Sequence, residues 1–178
     1  RWRQSNQQSP ESDTTRKWFT SAREHYRALA NLEAPLPIDI YRFAELLLAA
    51  GELREANTLV NQLESISFAS PLALEIRLRL ATATGEDEQI EKLTERWADK
   101  NSDSDTGSND STTLSIAGQV LARLGFTEES VSWLGRAYEA DARFLPLYAA
   151  NLIKLGKFEN VLRLCEEHYI KTKDPEAL

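Results

Sequence analysis

Four glycines, Gly51, Gly85, Gly125 and Gly156, each close an apolar stretch of helical periodicity and are followed at once by another. Glycine suits that place because a helix often ends on a residue at positive φ, a conformation that costs glycine little. The spacing of these four restricts the fold more than any other feature. Gly51 and Gly85 lie 34 positions apart, Gly85 and Gly125 lie 40 apart, and Gly125 and Gly156 lie 31 apart. The interval of 40 contains a polar, acidic stretch at 101–111, Asn-Ser-Asp-Ser-Asp-Thr-Gly-Ser-Asn-Asp-Ser, so its six surplus residues have an evident home. A period of this length with two helices per unit makes an array of helix hairpins.

Apolar spacing predicts helices at about 15–32, 38–50, 53–66, 70–84, 86–100, 112–124, 127–142, 145–155 and 157–171. Ser70-Pro71 supplies an N-cap hydroxyl followed by proline at the first helical position, where the missing N–H costs nothing. Residues 1–15 read as a polar linker and residues 16–178 as one helical repeat domain. Its units fall at about 37–70, 71–110 with the acidic insert, 111–141 and 142–175, and residues 16–32 form a lone leading helix. The insert has nothing apolar to bury and is expected to be the least ordered internal segment. Its Asp103-x-Asp105-x-Gly107 spacing begins like a calcium loop, but the fifth-position ligand is missing and Leu114 stands where a bidentate glutamate would fall.

The turn Gly51-Glu-Leu-Arg-Glu-Ala56 and the helix Leu114-x-x-Ala117-Gly118-x-x-Leu121, followed by Ser130-x-x-x-Leu134-x-x-Ala137, resemble the tetratricopeptide repeat. In the same register stand Ile40, Phe43, Ala44 and Leu47 with Ala56, Val60 and Leu63, then Leu74, Leu78 and Ala81 with Ile90 and Trp97. The last unit holds Leu145, Tyr148, Ala149 and Leu152 with Val161, Cys165 and His168. Arg77 and Thr94 depart from the pattern with polar groups, and Pro146 shortens the first helix of the last unit. The resemblance implies an all-α, right-handed α-hairpin solenoid of about four helix pairs plus one N-terminal helix. It also implies a concave groove lined from the first helix of each unit. The groove places here include Tyr41, Glu45 and Leu48, then Glu75 and Arg79, then Ser115, Gln119 and Arg123, then Arg143, Pro146, Ile153 and Lys154. Lysines and asparagines that clamp a chaperone carboxylate in this family are not matched, since the ninth places hold Glu45, Arg79, Gln119 and Ala150.

Composition narrows the function. Lys plus Arg is 21 against 28 Asp plus Glu, a net charge of −7, which disfavours nucleic acid because phosphate neutralisation dominates that affinity. One cysteine excludes an internal disulfide framework, and two histidines leave little for a metal cluster. Phosphate-loop, nucleophile-elbow and paired Cys-x-x-Cys motifs are absent from the sequence. Cys165 and His168 occupy inward places and read as packing residues rather than a catalytic pair. Trp2, Trp18, Trp97 and Trp133 read as core or helix-packing residues. The longest apolar run, Leu46 to Ala50, is too short for a membrane span. The chain begins at Arg1 and lacks methionine, so its native N-terminus is expected upstream, and Arg1-Trp2-Arg3 has the character of a membrane flank.

The expected function is a non-catalytic, cofactor-free scaffold for protein–protein interaction in the cytoplasm. Arg79, Arg123, Arg143 and Lys154 at groove places point to an acidic protein or peptide segment as its partner. Three alternatives stand beside it. They are an auxiliary helical domain of a larger enzyme, the soluble part of a protein anchored in a membrane upstream of Arg1, and a self-association module forming a homodimer.

Overall fold

The structure is a computed structural model that describes residues 10–101 and 110–172. The readings of Arg1-Trp2-Arg3, of most of the acidic insert and of residues 174–178 lie outside the described residues. Among the described residues every regular element is helical. The α-helices are α1 Pro10–Ala30, α2 Pro37–Ala49, α3 Leu53–Ser67, α4 Pro71–Thr84, α5 Ile90–Asn101, α6 Ser111–Leu124, α7 Thr127–Ala140, α8 Leu145–Lys154 and α9 Phe158–Thr172. Helix α1 begins at Pro10, inside the stretch read as a linker, because proline's fixed φ is compatible with the first helical turn. Two 3-10 turns precede α5 and α8: Asp87–Gln89 replaces the first turn of the helix expected at 86–100, and Ala142–Phe144 spans the expected break between 127–142 and 145–155.

Helix ends follow local chemistry. Ser70 Oγ accepts a hydrogen bond from the Leu72 N–H at 3.2 Å, with Pro71 behind it, as the sequence predicts. All four turn glycines have positive φ, between 71° and 90°. Each turn is sealed by the same long-range helix-capping bond, which a glycine at positive φ makes possible. The residue after the glycine donates its N–H to a carbonyl five positions back: Glu52 to Leu47, Glu86 to Ala81, Phe126 to Leu121 and Lys157 to Leu152, at 2.8–3.0 Å. All four accepting residues are buried. The glycine spacing thus encodes one turn, used four times.

The chain divides into two compact units, Arg1–Ser67 and Phe68–Leu178. In the first unit α1 packs on α2 and α2 on α3. Ile40, Phe43, Ala44 and Leu47 of α2 meet Ala56, Val60 and Leu63 of α3, all buried. Arg23 of α1 bonds Glu52 at 2.8 Å and Glu55 at 2.5 Å, and Arg27 bonds Glu55 at 2.5 Å, tying α1 to the following hairpin.

In the second unit α4 packs on α5, α6 on α7 and α8 on α9, with α4 also against α6 and α7 against α8. Leu74, Leu78, Ile90, Trp97, Leu114, Val120, Leu121 and Trp133 belong to one continuous core. Trp97 also donates its indole N–H to the Phe68 carbonyl at 2.9 Å. Thr94 is buried as an inward residue, and its hydroxyl is satisfied by donating to the Ile90 carbonyl at 2.8 Å. Trp18 corrects the reading of the tryptophans as packing residues, being 72% exposed. Phe19, Ala22, Tyr26 and Leu29 occupy the half-buried side of α1, and Trp18 falls outside that stripe. Trp2 lies outside the described residues.

Candidate functional site

In the first unit, α2 carries three of the expected groove residues one helical turn apart. Tyr41 is buried and donates its hydroxyl to Glu45 Oε1 at 3.1 Å, while Arg42 bonds Glu45 Oε2 at 2.8 Å. Glu45 is half-buried between them, and Leu48 is half-buried one turn on. The carboxylate is thus fixed in place by a phenol and a guanidinium, and its hydrogen bond holds the Arg42 guanidinium above its ordinary pKa.

In the second unit, α4 and α6 bring Glu75, Arg79 and Arg123 together. Glu75 is only 5% exposed, and a carboxylate that far from water requires charged partners. Arg79 supplies one from the next turn of α4, with Nη2 donating to Glu75 Oε1 at 2.8 Å. Arg123 supplies the other from the last turn of α6, with Nη2 lying 3.1 Å from Glu75 Oε2. The two arginine side chains remain 42% and 59% exposed, so their outer edges face solvent while Glu75 orients the inner ones. Gln119 is exposed one turn before Arg123 on α6. Ser115 is buried and bonds the Thr112 carbonyl at 2.9 Å. Tyr41, Glu75 and Ser115 all stand at the fifth place of their units, and all three are buried. Those residues support the surface from beneath.

The other two cations stand apart from this trio. Arg143 folds back on its own turn, donating from Nε to Asp141 Oδ2 at 2.8 Å, while Asp141 also accepts from the Arg143 backbone N–H at 2.9 Å. Those bonds from Arg143 hold the Asp141 carboxyl below its usual range. Lys154 is exposed at the last turn of α8, where a cation complements the helix dipole. Local sequence did announce part of this. Glu75 and Arg79 form an i,i+4 pair with the acid first, the favourable order on a helix. Nothing near Glu75 in the sequence announces Arg123.

His168 is buried and faces Tyr138 of α7, with Nδ1 3.4 Å from the phenol oxygen, and Cys165 is half-buried. Among the described residues no three His, Cys, Asp or Glu side chains gather as a metal site, and no helix is long and apolar enough to cross a membrane. Compared with known proteins, the chain matches no family model, no curated protein and no solved structure.

Proposed function

We propose that this chain is a helical-hairpin scaffold of the tetratricopeptide type, without catalytic chemistry of its own, that holds an acidic segment of a partner protein. The observation that carries the reading is the convergence of Arg79 and Arg123 on buried Glu75. Helices α4 and α6 lie against each other there, and Glu75 and Arg79 of one meet Arg123 of the other. The recurrent glycine-sealed turns support the hairpin array, and the register residues buried in each hairpin agree with the repeat pattern. Both guanidiniums keep an edge in solvent, and Glu75 removes much of their rotational freedom before a ligand arrives. An incoming carboxylate then meets donors already aimed, which lowers the ordering cost of binding.

The test follows from the pairing. Reversing both arginines would gather three carboxylates around a buried site and unfold it, so neutral substitutions are the informative ones. A variant carrying Glu75→Gln, Arg79→Gln and Arg123→Gln removes all three charges together and should keep its helicity. Selection from a random peptide library on the parent protein is expected to return Asp- and Glu-rich peptides. The neutral variant should bind them at least about tenfold more weakly, and their binding to the parent should weaken with salt. Selected peptides without acidic bias, or equal binding to the variant, would reject this groove as the site.

A further inference from the structure

The last helix carries an open apolar face whose internal counterpart is covered. Gly125 and Gly156 align α7 with α9, so Val131, Gly135 and Tyr138 of α7 correspond to Leu162, Glu166 and Tyr169 of α9. On α7 that face is covered by α8. Val131, Gly135 and Tyr138 are partly buried, and the Tyr148 ring lies over Gly135 and stacks on Tyr138 at 6.0 Å. On α9, Phe158 is 60% exposed, Leu162 65% and Tyr169 37%. Spacings of four and seven residues put them on one side of the helix, with Glu159 and Glu166 along its edge. Apolar side chains clustered at this density on an otherwise charged helix mark a contact surface.

Charge decides between the candidate occupants. Two copies of α9 laid antiparallel about a two-fold axis would bring the edge that carries Glu159 and Glu166 in one against the same acidic edge of the other. Like charges so placed disfavour a second copy. A helix seated as α8 is on α7 would find a carboxylate at Glu166, where α7 offers bare backbone beneath an aromatic ring. The complementary residue there is a cation. We propose that the open face of α9 docks an amphipathic helix of a second protein, one whose apolar stripe carries Lys or Arg opposite Glu166. This surface is separate from the Glu75 groove and does not depend on it.

Two synthetic helical peptides of about 16 residues serve as probes, identical except for Lys or Glu at the centre of a leucine stripe. Fluorescence anisotropy with the whole protein should give saturable binding of the Lys peptide and at least about tenfold weaker binding of the Glu peptide. Glu166→Lys should invert that order, and Leu162→Glu should abolish binding of both. Both positions are exposed, so far-UV circular dichroism should be unchanged in each variant. The neutral Gln variant of Glu75, Arg79 and Arg123 should bind the Lys peptide as the parent does, which separates this site from the groove. The proposal falls if neither peptide binds, if both bind alike, or if the preference ignores the charge at 166. Sedimentation over a concentration series should show a monomer, and a dimer dissociated by Leu162→Glu would assign the face to a second copy instead.

Discussion

The contact between α6 and α7 rests on a missing methyl group. A Cβ on Gly118 would lie 2.6 Å from Leu134 Cγ and 3.3 Å from the Leu134 backbone nitrogen. The first clash could be relieved by a side-chain shift, but the second involves backbone. Directly beside it, buried Ser130 donates its hydroxyl to the Gly118 carbonyl at 2.8 Å. Gly118→Ala should therefore destabilise the protein by about 1–3 kcal/mol, read from the urea midpoint, although alanine is the better helix former. Asn151 presents the opposite case. It is buried on α8 with Nδ2 bonded to the Leu147 carbonyl at 2.9 Å and Oδ1 without a partner. The equivalent places on α4 and α6 hold Leu80 and Val120, both buried. Asn151→Leu is expected to raise stability by about 1 kcal/mol, because it removes a desolvated oxygen that bonds to nothing. A lower thermal midpoint for that variant would mean that the pocket around 151 is shaped for the amide.

Among the elements, α1 is joined to the hairpin that follows it by ion pairs as well as by its half-buried apolar side. Arg23 and Arg27 converge on Glu55, and Gln62 of α3 reaches back to the Ala30 carbonyl at 3.1 Å. The hydrogen bond from Arg27, followed in effect by that from Arg23, holds the Glu55 carboxyl below its ordinary range. A carboxyl whose pKa falls on folding contributes its full stabilisation above the unfolded value and loses it as pH drops through the folded one. The attachment of α1 should accordingly weaken below about pH 4 and be unchanged between neutrality and mildly acidic pH. Amide exchange in α1, compared between parent and Glu55→Gln, checks this. The parent should lose protection on acidification, whereas the variant should be less protected at neutral pH and respond less to acid. These ends and turns differ in how readable they were. The Ser70 cap and the four glycine turns could be read directly because each is settled within a few consecutive residues. The joining of Arg23 to Glu55 could not, since it links helices through a geometry no local pattern carries.

For the whole molecule, the division at Ser67 predicts how the chain unfolds. Among the described residues, the buried tryptophans Trp97 and Trp133 sit in the core of the second unit, while Trp18 in the first is largely exposed. Tryptophan fluorescence therefore reports mainly on the second unit and far-UV circular dichroism on both. Leu47→Ala removes a fully buried side chain from the α2–α3 core and should cost the first unit about 2–5 kcal/mol. Ellipticity should then begin to fall at lower urea while the fluorescence midpoint stays in place. A joint shift of both curves would show that the units unfold as one cooperative body.

The helical class, most helix boundaries within a few residues, and inward residues such as Phe43, Leu121 and Leu134 are legible in the chain alone. Periodicity and glycine placement are properties of neighbouring positions, so a linear reading captures them. Packing was needed to show that Glu75 lies buried beneath two arginines from different helices, that Trp18 stands in solvent, and that the chain forms two compact units. Each of these depends on which side chains arrive from distant parts of the chain. Burial and ion pairing are settled by that meeting, because the desolvation of a carboxylate and the partners that offset it exist only once the helices have packed.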